Sequence, residues 1–392
     1  MSNKKLTILG IVAVLMVLWA VVQSRIANRP RTEPAGPVYL IQGFDPSGVA
    51  SIVIGTGEAA FTLKRQANSF VIVDKDNYPA KTSEINDLVS KCLEIQTSEF
   101  VTDNPANHED LEVTEEKARS VVKFMKADPN SSLLTGVIIG KTKELSQGSY
   151  VRLLSSNSAL SNKVYVTSNA PWFGSGAMNY VDQELISVER EDIESVTVSS
   201  QKGTYTMRTK EDSQDIILDN IPAGKKLKSS DARSVFTALT SLRFDDVKKL
   251  SSDMAFEKQY MCRLKDSTVY ALRIAQEDDK TYLSCVAEFT DRTLGERAPV
   301  DQGGEVESEE ELKKKEAKLL ARDNAVIFTA KHQQWVYEIA EWKAKNLTKE
   351  LDDLLEDEEK PKEDAAADPN AVIPDAVTVP EVEDPNTAES ES

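Results

Sequence analysis

A chain of 392 residues is long enough for two to three domains, each with its own core. Its net charge of −18 is unevenly placed: residues 350–392 hold 16 carboxylates and two lysines, so the rest is only mildly acidic. Neither part carries the basic stripe that phosphate neutralisation needs, which excludes nucleic acid as an expected partner.

The chain opens with Lys4 and Lys5, then the uncharged apolar run Leu6–Val22, then Gln23-Ser24-Arg25. At about 1.5 Å per residue this run is at the short end of what spans a bilayer, and Trp19 would lie near the far interface. A cleaved signal peptide is the competing reading, but it would end at small residues in an A-x-A-like pattern, which is not evident. Residues 1–24 are therefore read as a transmembrane anchor. Positive charge is nearly balanced across it, with Lys4 and Lys5 against Arg25, Arg29 and Arg31. The very short leading segment makes an inside amino terminus the simpler topology, with the bulk of the chain extracytoplasmic. Residues 25–38, rich in Arg and Pro without apolar periodicity, read as an extended linker.

The first module is placed at residues 39–185. Val49–Ile54 and Ala60–Lys64 alternate around Gly55-Thr56-Gly57, which predicts a hairpin. Ser69–Val73 predicts a third strand. Ser83 reads as a helix cap before Ile85, Leu88, Val89, Cys92 and Leu93 at helical spacing. Leu133–Ile139, Tyr150–Leu153 and Val164–Thr167 predict further strands. Thr114–Met125 has helical local propensity, yet Arg119–Phe124 within it also reads as a strand.

The second module, residues 186–355, repeats this order. Val49-Ala50-Ser51-Ile52-Val53-Ile54 returns as Ile193-Glu194-Ser195-Val196-Thr197-Val198, and Phe61-Thr62-Leu63-Lys64 returns as Tyr205-Thr206-Met207-Arg208. Ile216–Leu218 is the third strand. Ala232, Val235, Phe236, Leu239 and Leu242 match the first helical stripe. Val164-Tyr165-Val166 followed by Trp172 parallels Val336-Tyr337-Glu338 followed by Trp342. Self-similarity on this scale sets the architecture: an α+β chain of two repeated modules, each mainly antiparallel strands with a packed helix. The second copy alone carries a charged insertion at 291–323, predicted as a mobile loop and then a solvated helix, or a docking element unique to that module. Residues 356–392 combine proline, acid and alanine with few aromatics and read as a disordered acidic tail.

Chemical motifs are mostly rejected. Gly136 to Thr142 suggests a P-loop, but three β-branched residues separate the glycines where four are required. His108 and His332 lie in different modules and in polar surroundings, with nothing marking an orienting acid or a metal pair. Gly174-Ser175-Gly176 lacks the nucleophile-elbow spacing. Asp74-Lys75-Asp76-Asn77 begins like a calcium loop but lacks the glycine and the bidentate glutamate, and so reads as a turn. Asp245-Asp246 and Asp278-Asp279 read as solvated turns, with paired carboxylates as the alternative. No catalytic, cofactor or metal residue is expected. Cys92 falls on the first helical stripe and reads as core. Cys262 and Cys285 lie on neighbouring predicted strands, either facing each other as a disulfide in an oxidising compartment or standing as two buried thiols. Trp172 and Trp342, at equivalent repeat positions, either pack each final strand against the last helix or anchor a partner. Surface exposure would favour the partner.

This ensemble resembles the bacterial family named domain of unknown function 4340. The resemblance rests on the amino-terminal anchor, the Phe61-Thr62-Leu63-Lys64 hairpin and the Tyr78-Pro79-Ala80 turn. It extends through Ile139-Gly140-Lys141 leading to Tyr150-Val151-Arg152-Leu153, and Trp335-Val336-Tyr337 leading to Lys345-Asn346-Leu347-Thr348. It covers most of residues 40–355; the acidic loop and tail fall outside it. Such proteins are commonly encoded beside ABC-2-type permeases and gliding-type auxiliary subunits. The resemblance therefore implies a periplasmic, single-pass inner-membrane accessory of an ABC transport complex, and it implies no reaction. The expectation is a non-enzymatic scaffold. The alternative is a ligand-binding envelope protein with its site between the modules. A hydrolase using carboxylates alone is the third reading, against which stands the near-absence of histidine.

Overall fold

The computed structural model describes residues 38–144, 148–210, 213, 215–291 and 309–358. Among them no helix is long and apolar enough to cross a membrane. The expected anchor, the linker up to residue 37, the loop at 292–308 and the tail from residue 359 lie outside the described residues.

The chain is mostly antiparallel β-sheet with a few helices. The first half contains β1 (Val38–Tyr39), β2 (Val49–Ile54), β3 (Phe61–Gln66), β4 (Ser69–Ile72), β5 (Tyr78–Pro79) and helix α1 (Thr82–Leu93). There follow β6 (Gln96–Thr97), β7 (Glu99–Thr102), β8 (Ser120–Lys126), β9 (Leu133–Thr142), β10 (Ser149–Leu154), the short α2 (Ser158–Ser161) and β11 (Val164–Thr167). The second half contains β12 (Glu184–Ile186), β13 (Ile193–Ser200), β14 (Gly203–Thr209), β15 (Ile216–Leu218), β16 (Lys225–Leu227) and α3 (Ser229–Phe236). It continues with β17 (Leu242–Arg243), β18 (Asp246–Lys249), β19 (Lys258–Leu264), β20 (Thr268–Glu277), β21 (Lys280–Phe289), α4 (Glu309–His332), β22 (Trp335–Ile339), α5 (Glu341–Thr348) and β23 (Leu355–Asp357).

The two large sheets have corresponding orders. The first runs β5-β4-β3-β2-β8-β9-β10-β11-β7 and the second β15-β14-β13-β19-β20-β21-β22-β18. Even the small ribbons correspond, β1 with β6 in the first half and β12 with β17 in the second. Alternation produces one-sided strands: β2 buries Val49, Ile52 and Ile54, and β13 buries Ile193, Val196 and Val198. Helix α1 buries Ile85, Leu88 and Cys92, and α3 buries Ala232, Val235 and Phe236. One hydrophobic cluster runs through both halves, with a satellite around Val113, Val121, Ile138 and Val164 on the outer face of the first sheet.

Several local expectations are corrected. Helix α1 starts at Thr82 with Lys81 as its cap residue, so Ser83 is inside the first turn. Leu239 and Leu242 are fully buried, but α3 ends at Phe236 and Leu242 opens β17. The ambiguous stretch resolves as strand β8, because Val121, Val122 and Phe124 alternate between two buried faces. Gly136 and Gly140 sit in β9, and a Cβ on Gly140 would lie 2.4 Å from the Leu111 carbonyl oxygen. Close backbone approach thus accounts for that glycine in the segment that mimics a P-loop. Asp278 and Asp279 both adopt left-handed backbone, with φ of 49° and 62°, as the two-residue turn between β20 and β21.

Candidate binding site at the junction of the two sheets

The two large sheets meet edge to edge. β5 is the last strand of the first sheet and β18 the last of the second. Tyr78 of β5 crosses the seam, its ring 4.9 Å from Trp335, 6.2 Å from Phe244 and 6.3 Å from Tyr337. All four rings are buried and set edge-on or tilted, the arrangement aromatic quadrupoles favour. The Tyr337 hydroxyl shares a 2.6 Å hydrogen bond with His332 Nδ1. Burial pushes Tyr78 up to about 12 and holds Tyr337 well above the usual phenol range. Burial pushes His332 down to about 4, reinforced by Lys331.

The turn that begins like a calcium loop bridges the seam. Asp74 Oδ2 accepts the Thr62 N–H at 2.7 Å, which ties the turn to β3. Lys75 Nζ lies 2.6 Å from Asp246 Oδ1 in the opposite half. Asp76 and Asn77 are left-handed, with φ of 53° and 64°, a conformation short polar side chains tolerate. Asp76 Oδ2 then accepts the Lys249 N–H at 3.1 Å, satisfying a donor on the open edge of β18.

Above the aromatic seam lies a cleft of about 420 Å³. Its floor is Val71 and Trp335, both buried; its walls are Lys64, Arg65, Gln66, Asp76 and Asn77 from the first half and Lys249 and Gln334 from the second. The size falls within the usual range for small-molecule sites.

The other sequence-singled residues are not brought to this cleft. Trp172 and Trp342 are exposed, at 70% and 64%. The neighbour Phe173 enters the core while Trp172 points outward. In α5, Ala344 and Leu347 face inward, which puts Trp342 on the opposite side of the helix. Cys92, Cys262 and Cys285 are free and buried. The neighbouring-strand expectation for Cys262 and Cys285 is corrected, since β20 lies between β19 and β21. Two strand spacings are about 9–10 Å, beyond the Cα separation a disulfide allows. Burial pushes the Cys262 thiol up to about 12. The expected polar surroundings of the histidines are also corrected. His108 is buried, with Nε2 2.9 Å from the Asn162 carbonyl oxygen, and His332 stacks on Phe328 at 4.5 Å. Among the described residues no group of His, Cys, Asp and Glu is arranged to hold a metal ion.

The sequence placed Asp76, Asn77 and Trp335 in turn and strand motifs, without pointing to a cleft. Lys64 stood in the repeated hairpin motif without pointing to a cleft, and Lys249 and Gln334 carried no signal, since tertiary pairing alone brings β3, β18 and the start of β22 together.

No curated protein and no solved structure matches the chain. Residues 71–263, from β4 to β19, match the family model described as Domain of unknown function (DUF4340). That span includes the bridging turn, Tyr78, Phe244 and the edge strands β5 and β18, while Trp335 and Tyr337 of the seam lie beyond it. Over residues 71–263 the chain carries the domain of unknown function 4340.

Proposed function

We propose that this protein is a non-catalytic scaffold of two repeated α+β modules, held at the bacterial inner membrane by its amino-terminal apolar run. The bulk of the chain is extracytoplasmic and serves an ABC-type transport complex through contact with a permease and an auxiliary subunit. The observation that carries this reading is the exposure of Trp172 and Trp342, one after the β11 strand of the first half and one after the β22 strand of the second. Two exposed indoles are poor use of apolar surface unless a partner covers them, and Trp is enriched at the energetic centres of interfaces. Tethering to the membrane raises the effective concentration of such a surface next to a permease.

The test is crosslinking and capture of the full chain from native membranes, read by mass spectrometry. A permease and its auxiliary subunit are the expected co-purifying species. The Trp172→Ala/Trp342→Ala variant should keep the wild-type unfolding midpoint and lose most of that capture. Equal capture by the variant would remove the tryptophans from the interface, and capture of no transport subunit would end the scaffold reading.

A second reading, a ligand-binding envelope protein, is favoured by the cleft over the seam, which draws walls from both halves.

A further inference from the structure

We propose that the cleft between the two sheets binds a small multivalent oxyanion, a phosphate or polycarboxylate whose apolar part rests on Trp335. This rests on the ligand-binding reading above and names the class of ligand. Two ammonium groups line one cleft. Lys64 comes from β3 and Lys249 from β18, and neither has an ion-pair partner among the described residues. Arg65 is fixed without a carboxylate: its Nη2 donates to the Pro46 carbonyl at 3.0 Å and its guanidinium lies 5.0 Å over the Phe70 ring. Its guanidinium therefore lies on the face of β3 opposite Lys64, and the uncompensated charge in the cleft is that of the two lysines.

The single acid in the cleft is already engaged. Asp76 accepts the Lys249 backbone N–H, so its carboxylate holds the turn while the Lys249 ammonium stays available. The amides of Asn77 and Gln334 face the same space and make no hydrogen bond within the described residues. Excess positive charge in a concave site concentrates the field and attracts anions. Neutral amide donors beside ammonium groups suit an oxyanion with several acceptor oxygens. The floor adds apolar contact from Trp335 and Val71, on which a ring or alkyl portion can rest. The walls belong to opposite halves, so a bound anion would bridge them, with Lys64 and Lys249 as the two poles.

The test uses the full chain in mild detergent, titrated calorimetrically with inorganic pyrophosphate and separately with citrate. Saturable binding is expected, weakening as salt screens the charges. Lys64→Ala/Lys249→Ala should lose about tenfold in affinity or more, equivalent to about 1.4 kcal/mol. These are exposed wall residues, so its urea midpoint should match the wild type. Vesicles of phosphatidylglycerol separate the sources. Pyrophosphate-sensitive cosedimentation that is lost in the double variant assigns the anion to a lipid headgroup. Pyrophosphate binding without cosedimentation assigns it to a soluble ligand. No saturable heat from either anion, or equal binding by the double variant, overturns the proposal. Chitobiose, a neutral disaccharide, distinguishes the two levels. If it binds while the anions do not, the cleft takes ligands of another class; if nothing binds, the ligand-binding reading falls as well.

Discussion

At the residue scale, His332 shows what burial does to a group that looks catalytic in sequence. It closes α4, stacks on Phe328 and shares its Nδ1 with the Tyr337 hydroxyl. Nothing acidic orients it, and the cost of burying an imidazolium holds it neutral. The consequence is a stability effect with a defined sign. The unfolded chain protonates His332 near 6.5 and the folded chain near 4, so between these values only the unfolded state takes up the proton. Stability linked to His332 is therefore complete above about pH 6.5 and is lost as pH falls toward 4, amounting to about 3 kcal/mol across the window. Urea midpoints of the wild type and His332→Gln, followed from pH 7 to pH 4.5, should converge as pH falls. Parallel curves would mean that His332 titrates in the folded chain as it does in the unfolded one.

At the element scale, the long helix of the second half replaces strand pairing. In the first half β10 pairs with β11 over four residue pairs, from Ser149↔Thr167 to Arg152↔Val164, joined through the four-residue α2. In the second half β21 pairs with β22 only from Thr281 to Leu283, and α4 lies over the rest of the strand. Thr329 of α4 stands in for the missing strand: its hydroxyl accepts the Ala287 N–H at 2.8 Å and donates to the Ala287 carbonyl at 2.7 Å. Over residues 312–320 α4 is largely exposed, as the solvated helix expected there would be, and it packs only from Ala321 onward, with Val326 and Ile327 still exposed. Thr329→Val removes both bonds at constant shape and should cost about 1–3 kcal/mol, the penalty for stranding buried polar groups. Thr329→Ser should restore most of it. Hydrogen exchange at the Ala287 amide reads the effect directly, and unchanged protection in the valine variant would show that the hydroxyl is dispensable. These elements also mark what could be read from sequence. Strands with one buried face, such as β2, β13 and β15, announce themselves by alternation, and their ends move by a residue or two at most. β8 did not, because it buries residues on both faces and its composition also suits a helix. Cys262 and Cys285 are the buried thiols of the two readings left open, and only their strand adjacency misled, since β20 separates β19 from β21. The insertion was visible as charge, but its helix continues past residue 323 to Thr329, whose hold on β21 depends on a backbone partner that no local pattern reveals.

At the scale of the whole molecule, the question is how two halves with matching sheets become one body. The repeat could be read because each half needs the same apolar faces, but the seam could not. Its residues occupy unremarkable positions: Tyr78 in a two-residue strand, Phe244 in a connection, Trp335 and Tyr337 in the final strand. Tyr78 is the side chain from the first half that touches all three rings of the second. Its ring contact with Tyr337 also leads to His332, so seam packing and that hydrogen bond are coupled. Around it, the Lys75–Asp246 pair is partly exposed and adds little, as surface pairs usually do. The packing of Tyr78 is therefore the contact through which to test the coupling between halves. Tyr78→Ala opens a cavity at the seam and should cost about 3–5 kcal/mol, by analogy with other aromatic truncations. Because the loss falls at the boundary and spares each sheet, it should appear as lost cooperativity as well as lower stability. The wild type should unfold in one transition, with tryptophan fluorescence and far-ultraviolet dichroism coinciding, as a two-state body does. In Tyr78→Ala the fluorescence change, weighted toward Trp335 at the seam, should precede the dichroism change. Lys75→Ala should leave the two curves superimposed. Coincident curves in Tyr78→Ala would place the coupling elsewhere, in the continuous core beneath the ring cluster.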